Sequence, residues 1–155
     1  MHQIAPMSED QMAIKDAVEK TIAPFDDEYW GKTDETGNWP EEFCDAMAKG
    51  GWLGIAFPEE YGGAGLGLTE AALMMQTVTR SGAGYSGASA IHLNIFGPKP
   101  LEKFGTPEQK QENLPKIISG KEKMCFAVTE PNSGLDTSSL ETKAERTNNG
   151  YVING

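Results

Sequence analysis

The chain has 155 residues, which is enough for one domain with a sizeable core. Its 13 basic and 23 acidic side chains give a formal net charge of −10, which disfavours binding to nucleic acids and to anionic membrane surfaces. No apolar run approaches the roughly 20 residues of a membrane-spanning helix, and the first residues lack the pattern of a secretory signal. Cys44 and Cys125 fit no metal or redox spacing, so we expect two reduced thiols in a cytoplasmic protein.

The sequence pattern of the N-terminal third predicts two helices. Ser8 and Gln11 have the spacing of a capping box, and an apolar stripe at intervals of three and four continues to Tyr29. This predicts one helix, Ser8–Tyr29, kinked near Pro24, followed by a loop over residues 33–38. A second helix is expected from Pro40 to the Gly50-Gly51 pair.

The middle of the chain also has helical spacing. After a compact apolar segment and a Gly-rich loop, the pattern predicts a third helix from about Leu68 to Ser81 and a fourth from Tyr85 to Phe96. The apolar face of the fourth helix fits either the core, which is the simpler interpretation, or a channel for a fatty chain. A short helical turn is expected at residues 101–104. A last helix should begin at Thr106-Pro107 and be broken or kinked at Pro115.

The period changes after Lys123. Met124–Val128 is predicted to be a strand, and two further strands, Thr142–Arg146 and Tyr151–Ile153, flank a hairpin signal at residues 148–150. We therefore expect a mainly α fold, with a helical bundle over residues 1–121 and the first strands of a β domain over residues 122–155. Three strands leave open edges, so we expect a longer protein.

Several local patterns carry no chemistry. Residues 82–87 match GxGxxG, but a helix precedes them and no βαβ unit surrounds them, so a dinucleotide site is rejected. His92 has no triad partner at a recognisable spacing and no second ligand for a metal, so we expect a packed or surface histidine. No metal site and no catalytic residue are predicted.

One stretch, Met124–Thr137, combines an apolar run with a turn rich in Pro, Asn, Ser, Gly and Asp. A strand that ends in such a turn leaves backbone N–H groups unpaired. Thr129 adds a hydroxyl, and Glu130 and Asp136 add carboxylates. The residues alone leave two interpretations open: a place that holds the polar edge of a flat cofactor, or a strand followed by a solvent loop.

The stretch from Ala127 to Asp136 resembles the flavin-side motif of the acyl-CoA dehydrogenase family. Leu135 is the one departure, because the family usually has Ser or Thr there. The resemblance covers nearly all of the chain, since three other segments, residues 57–63, 104–111 and 150–155, are also similar to family motifs.

This resemblance implies a helical domain followed by a middle β-barrel domain, of which this chain has the first strands. It also implies an FAD-dependent oxidoreductase that oxidises an acyl-CoA thioester and passes electrons to an electron-transfer flavoprotein, usually as a homo-oligomer. The matching positions imply flavin contacts by Phe126, Ala127, Val128 and Thr129, and contacts to the thioester and pantetheine by Gly134, Leu135 and Asp136.

The family's catalytic glutamate has no counterpart in this chain, so we expect the 155 residues alone to be inactive. Two alternatives remain open. One is a non-catalytic helical module that serves as an interaction partner. The other keeps the fold and changes the chemistry, toward an acyl-CoA oxidase or a flavin monooxygenase.

Overall fold

The computed structural model describes residues 6–155 and shows a helical bundle followed by one β-hairpin, which confirms the predicted fold class. The described residues form seven α-helices and two strands. Their bounds are α1 Glu9–Ile22, α2 Asp27–Thr36, α3 Glu41–Lys49, α4 Leu68–Arg80, α5 Gly84–Phe96, α6 Lys99–Phe104, α7 Pro107–Ile118, β1 Lys143–Thr147 and β2 Gly150–Asn154. The chain divides into two compact units, one ending at Cys125 and the other spanning Phe126–Gly155.

Two helices replace the single kinked helix predicted for Ser8–Tyr29, so that prediction was wrong. α1 ends at Ile22, and Asp26 caps α2 by accepting a hydrogen bond from the Tyr29 backbone N–H at 3.0 Å. A carboxylate at a helix start satisfies an N–H group that has no partner within the helix. α2 then continues to Thr36, through most of the loop predicted for residues 33–38, and Gly37 ends it at φ 65°.

The predicted helix starts at Ser8 and Thr106 are confirmed as capping boxes. The Ser8 hydroxyl accepts from the Gln11 N–H at 3.1 Å, and the Thr106 hydroxyl accepts from the Gln109 N–H at 3.3 Å. Pro115 does not break α7, which runs on to Ile118. Leu114 and Ile118 on either side of it are buried, and their packing offsets the roughly 3 kcal/mol that a proline costs inside a helix.

The main core lies where the apolar faces of α1, α3, α4 and α5 meet. Its fully or nearly fully buried side chains include Val18, Phe43, Met47, Met74, Val78 and Ile91. Burying a side chain of this size contributes roughly 1.5–3 kcal/mol, so these few residues supply much of the stability of the helical unit. Phe25 and Trp30 meet the Phe43 ring edge to face, with ring centroids 5.5 and 5.0 Å apart.

A single polar side chain, that of Asn94, is buried in α5. Its amide NH₂ donates to the carbonyl oxygens of Ile117, at 3.1 Å, and Glu122, at 2.9 Å, and its amide oxygen accepts from the Met124 N–H at 3.0 Å. Asn94 is only 8% exposed. One side chain therefore satisfies three backbone groups where α7 ends and the chain leaves the helical unit.

In the second unit the hairpin is confirmed and the strand predicted at Met124–Val128 is wrong. β1 and β2 pair antiparallel, with Lys143 opposite Asn154 and Thr147 opposite Gly150. Residues 124–128 form neither a helix nor a strand. A strand is defined by its ladder of hydrogen bonds, and among the described residues no neighbouring strand supplies one for this run.

The hydrogen bonds of Asn94 predict that Asn94→Ala lowers the free energy of unfolding of the helical unit by about 2–4 kcal/mol, because three hydrogen bonds of one buried side chain are lost. Urea unfolding followed by circular dichroism at helical wavelengths measures this. The matched control is Asn113→Ala. It removes one hydrogen bond, from the Asn113 side chain to the Gln109 carbonyl at 2.7 Å, and both residues lie in α7. The control should change stability by less than about 1 kcal/mol. Equal effects of the two substitutions would contradict the role given to Asn94.

Candidate functional site

The residues predicted to contact a flavin lie in a run of the chain that is neither helix nor strand. Phe126 is 54% exposed, Ala127 and Thr129 are exposed, and Val128 is partly buried. The backbone N–H groups of Ala127, Val128 and Thr129 donate to no other described residue. The run therefore has three backbone donors, and the exposed Thr129 hydroxyl, that are available to a ligand.

The turn that follows this run is tied by backbone hydrogen bonds. The Glu130 N–H donates to the Ser133 carbonyl at 3.0 Å, and the Ser133 N–H donates back to the Glu130 carbonyl at 3.1 Å. The Ser133 side chain is only 3% exposed, and its hydroxyl donates to the carbonyl of Asp136. These bonds fix the course of the chain on both sides of Gly134 and Leu135.

Glu130 does not direct its carboxylate outward. One oxygen accepts from the Glu141 N–H at 2.7 Å, and the other accepts from the Thr142 N–H at 3.0 Å. Hydrogen bonds from the Thr142 side chain and from these two backbone groups lower the pKa of Glu130 below its ordinary value. A carboxylate held in this way is acidic and occupied, and it is therefore unsuited to taking a proton from a substrate.

The predicted substrate-side residues are exposed. Leu135 is fully exposed at 104%, and a Cβ added at Gly134 would meet nothing within 4 Å. The Asp136 carboxylate is used inside the loop, where it accepts from both the side chain and the N–H of Ser138 and from the Ser139 side chain. The hydroxyls of Ser138 and Ser139 lower the pKa of Asp136. Gly134 and Leu135 thus face open space, whereas Asp136 shapes the turn that carries them.

The helical unit contains a separate cavity of about 280 Å³. Leu53, Ile91 and Leu93 form part of its apolar lining, and Lys123 makes an ion pair with Glu41 at 2.8 Å at its edge. Cys44 also lines it, and burial raises the pKa of that thiol to about 11. α5 therefore contributes to both the core and a cavity wall, because Ile95 on the same helix is buried in the core.

The GxGxxG match and His92 both lie in the helical unit. The GxGxxG match lies where α4 gives way to α5, with no strand before it. The His92 ring stacks on Phe96 with centroids 5.1 Å apart, and its Nδ1 lies 3.0 Å from the Ser89 carbonyl oxygen. Within residues 6–155 no group of three or more His, Cys, Asp or Glu side chains could hold a metal ion.

Sequence reasoning missed two polar contacts that shape these segments. Asn94 stands between Leu93 and Ile95 and three positions after Ile91, so an amide on the apolar face of α5 is the signal that could have identified it. The pairing of Glu130 with residues 141 and 142 crosses 11 and 12 positions of irregular chain, and no periodic pattern reveals such a contact.

Residues 8–121 match the sequence profile of the acyl-CoA dehydrogenase N-terminal domain. The chain belongs to the acyl-CoA dehydrogenase family. Over 144 residues it is 40% identical to the probable acyl-CoA dehydrogenase YngJ of Bacillus subtilis, a match that covers 92% of this chain and 36% of that protein. The predicted resemblance is therefore confirmed.

Solved structures agree with this assignment. The acyl-CoA dehydrogenase of Bacillus anthracis, complexed with FAD, is similar at 30% identity and a TM-score of 0.76, covering 96% of this chain and 26% of that one. Butyryl-CoA dehydrogenase of Megasphaera elsdenii is similar at 26% identity and a TM-score of 0.79, covering 99% and 41%. The chain thus spans well under half the length of these relatives. No helix in residues 6–155 is both long and apolar enough to cross a bilayer.

The lowered pKa values of Glu130 and Asp136 predict how the loop responds to pH. A carboxyl whose pKa is depressed by folding stabilises the loop above its ordinary value, roughly pH 4, and that stabilisation is lost as pH falls through the depressed value. The amide protons of Thr142 and Ser138 should therefore exchange faster below about pH 4, after correction for intrinsic rates. Asp136→Asn should remove the pH response at Ser138 and keep it at Thr142. A pH-independent protection of both amides would contradict this prediction.

Proposed function

We propose that this chain is the N-terminal part of an FAD-dependent acyl-CoA dehydrogenase, with a helical domain over residues 1–121 and the beginning of the middle β domain over residues 122–155. The observation that carries the proposal is the run of backbone donors at Ala127–Thr129, which no described residue satisfies, within a sequence motif of this family. The relatives described above are named as acyl-CoA dehydrogenases, and one of them was solved with FAD.

The residues present fit the polar edge of a flavin. An isoalloxazine ring offers hydrogen-bond acceptors along one edge, and this run offers backbone N–H donors and the exposed Thr129 hydroxyl. When bound, FAD supplies an acceptor for the hydride that leaves the β carbon of the acyl group. Donors at the pyrimidine edge stabilise the negative charge of the reduced cofactor, and they do so more strongly where water is excluded.

The chain's own contribution on the substrate side is binding and orientation. Gly134 and Leu135 offer an exposed surface without a side-chain polar group, and Asp136 holds the turn that presents them. We propose that this turn lies against the thioester and pantetheine. With Leu135 in place of a Ser or Thr hydroxyl, that contact is apolar rather than a hydrogen bond.

The proposal assigns no catalytic base to this chain, so the 155 residues alone should not turn over an acyl-CoA. We also propose that the full-length enzyme is a cytoplasmic homo-oligomer that passes electrons to an electron-transfer flavoprotein.

Thr129→Val tests the cofactor side. Loss of one hydroxyl donor should weaken FAD binding about tenfold, the equivalent of about one net hydrogen bond. Equilibrium dialysis of the flavin from the full-length protein measures this. The matched control, Thr147→Val at the end of β1, should leave the FAD dissociation constant unchanged. Equal FAD affinity of the Thr129 variant and the wild type would remove Thr129 from the site.

Gly134→Ala tests the substrate side. Because the added methyl meets no atom within 4 Å and the φ of Gly134 is not positive, thermal stability should be unchanged or rise slightly. If the glycine is there to admit a ligand, the KM for acyl-CoA should rise several-fold, since the methyl occupies the ligand's space. Unchanged KM together with unchanged stability would exclude close approach of the thioester at this position.

A further inference from the structure

The loop formed by residues 130–142 is closed by one side chain. Two successive backbone N–H groups, those of Glu141 and Thr142, donate to the two separate oxygens of Glu130, which stands 11 and 12 positions earlier in the chain. A carboxylate is the one side-chain group that accepts at both oxygens and carries a charge that strengthens both bonds. Among the described residues, these two bonds join residue 130 to residues 141 and 142 through a single side chain.

Inside this closure, short-range bonds connect Glu130 to the substrate-side turn. The paired backbone bonds between Glu130 and Ser133 lead to the Ser133 hydroxyl, which donates to the Asp136 carbonyl. The Asp136 carboxylate then accepts from Ser138 and Ser139. These hydrogen bonds therefore follow the chain from Glu130 past Gly134 and Leu135 to Ser139. The bonds from Glu141 and Thr142 to the Glu130 carboxylate close the loop.

Hydrophobic burial contributes little to this loop. Ser133 is its buried residue at 3% exposure, whereas Leu135 is fully exposed and Leu140 is 42% exposed. Fixing each backbone residue costs roughly 1–2 kcal/mol of conformational entropy, so a loop without a core needs other contacts to hold one shape. The hydrogen bonds of Glu130, Ser133 and Asp136 are those contacts.

We propose that Glu130 is a positioning residue, whose carboxylate closes residues 130–142 into a loop and thereby holds Gly134 and Leu135 in place for the thioester end of an acyl-CoA. This inference rests on the proposed function, because it requires the turn to meet that ligand. Glu130 acts through the loop and touches neither the cofactor nor the reacting carbons. Substitution should therefore change substrate affinity more than the chemical step.

The variants are Glu130→Ala, which removes both acceptors, and Glu130→Gln, which keeps one oxygen but turns an NH₂ group toward an N–H donor. Glu145→Gln is the matched control, because it removes the same charge from β1 in the same unit. In the 155-residue chain, the amides of Glu141 and Thr142 should exchange about tenfold faster in Glu130→Ala, as expected for the loss of about one net hydrogen bond. The control should not alter them.

In the full-length, FAD-loaded protein, steady-state kinetics use whichever straight-chain thioester, from butyryl-CoA to palmitoyl-CoA, the wild type oxidises best. We expect KM to rise about tenfold in Glu130→Ala and less in Glu130→Gln, with kcat and FAD content unchanged. Faster amide exchange with an unchanged KM would overturn the positioning role, because the closure would then be purely structural. Unchanged exchange would overturn the closure itself. A wild type that binds neither FAD nor acyl-CoA would instead contradict the proposed function, while the exchange result would still report on the loop.

Discussion

Asn94 places three amide hydrogen bonds inside an apolar helix face, where little water is available to replace them. The residues that it joins are the last turn of α7 and the first residues beyond it, so the end of the helical unit depends on this one side chain. An apolar residue at position 94 would pack against the same neighbours but would remove one hydrogen bond each from the carbonyls of Ile117 and Glu122 and from the Met124 N–H. The requirement to satisfy these groups therefore dictates a polar residue in the middle of α5.

The two units are stabilised by different interactions. In the helical unit, buried side chains such as Phe43, Met47 and Met74 supply most of the free energy, and the hydrogen bonds of Asn94 add to it where α7 ends. In the second unit every residue of β1 and β2 is exposed, and the carboxylates of Glu130 and Asp136 hold the irregular chain. The conformation of the second unit is therefore sensitive to the charge of these carboxylates and to pH. The helical unit is instead sensitive to changes in the volume of its buried side chains.

Short-range rules were sufficient for much of the fold. The capping boxes at Ser8 and Thr106 and the hairpin at residues 148–150 depend on contacts within a few residues, and the sequence shows them directly. The single helix over Ser8–Tyr29 was wrong because an apolar stripe continued past Asp26, whose cap starts a new helix. The strand at Met124–Val128 was wrong because apolar content does not supply a pairing partner. Asn94 and the closure by Glu130 involve residues distant in sequence, which periodicity does not reveal.

The two cysteines differ in a way that has a practical consequence. The thiol of Cys44, with a pKa of about 11, remains almost entirely protonated at neutral pH and is partly covered by its neighbours. Cys125 is exposed and stands immediately before Phe126. A maleimide dye or spin label at neutral pH should therefore select Cys125 without any engineered substitution. Cys125 thus offers an attachment point for a spectroscopic probe next to the run of backbone donors at Ala127–Thr129.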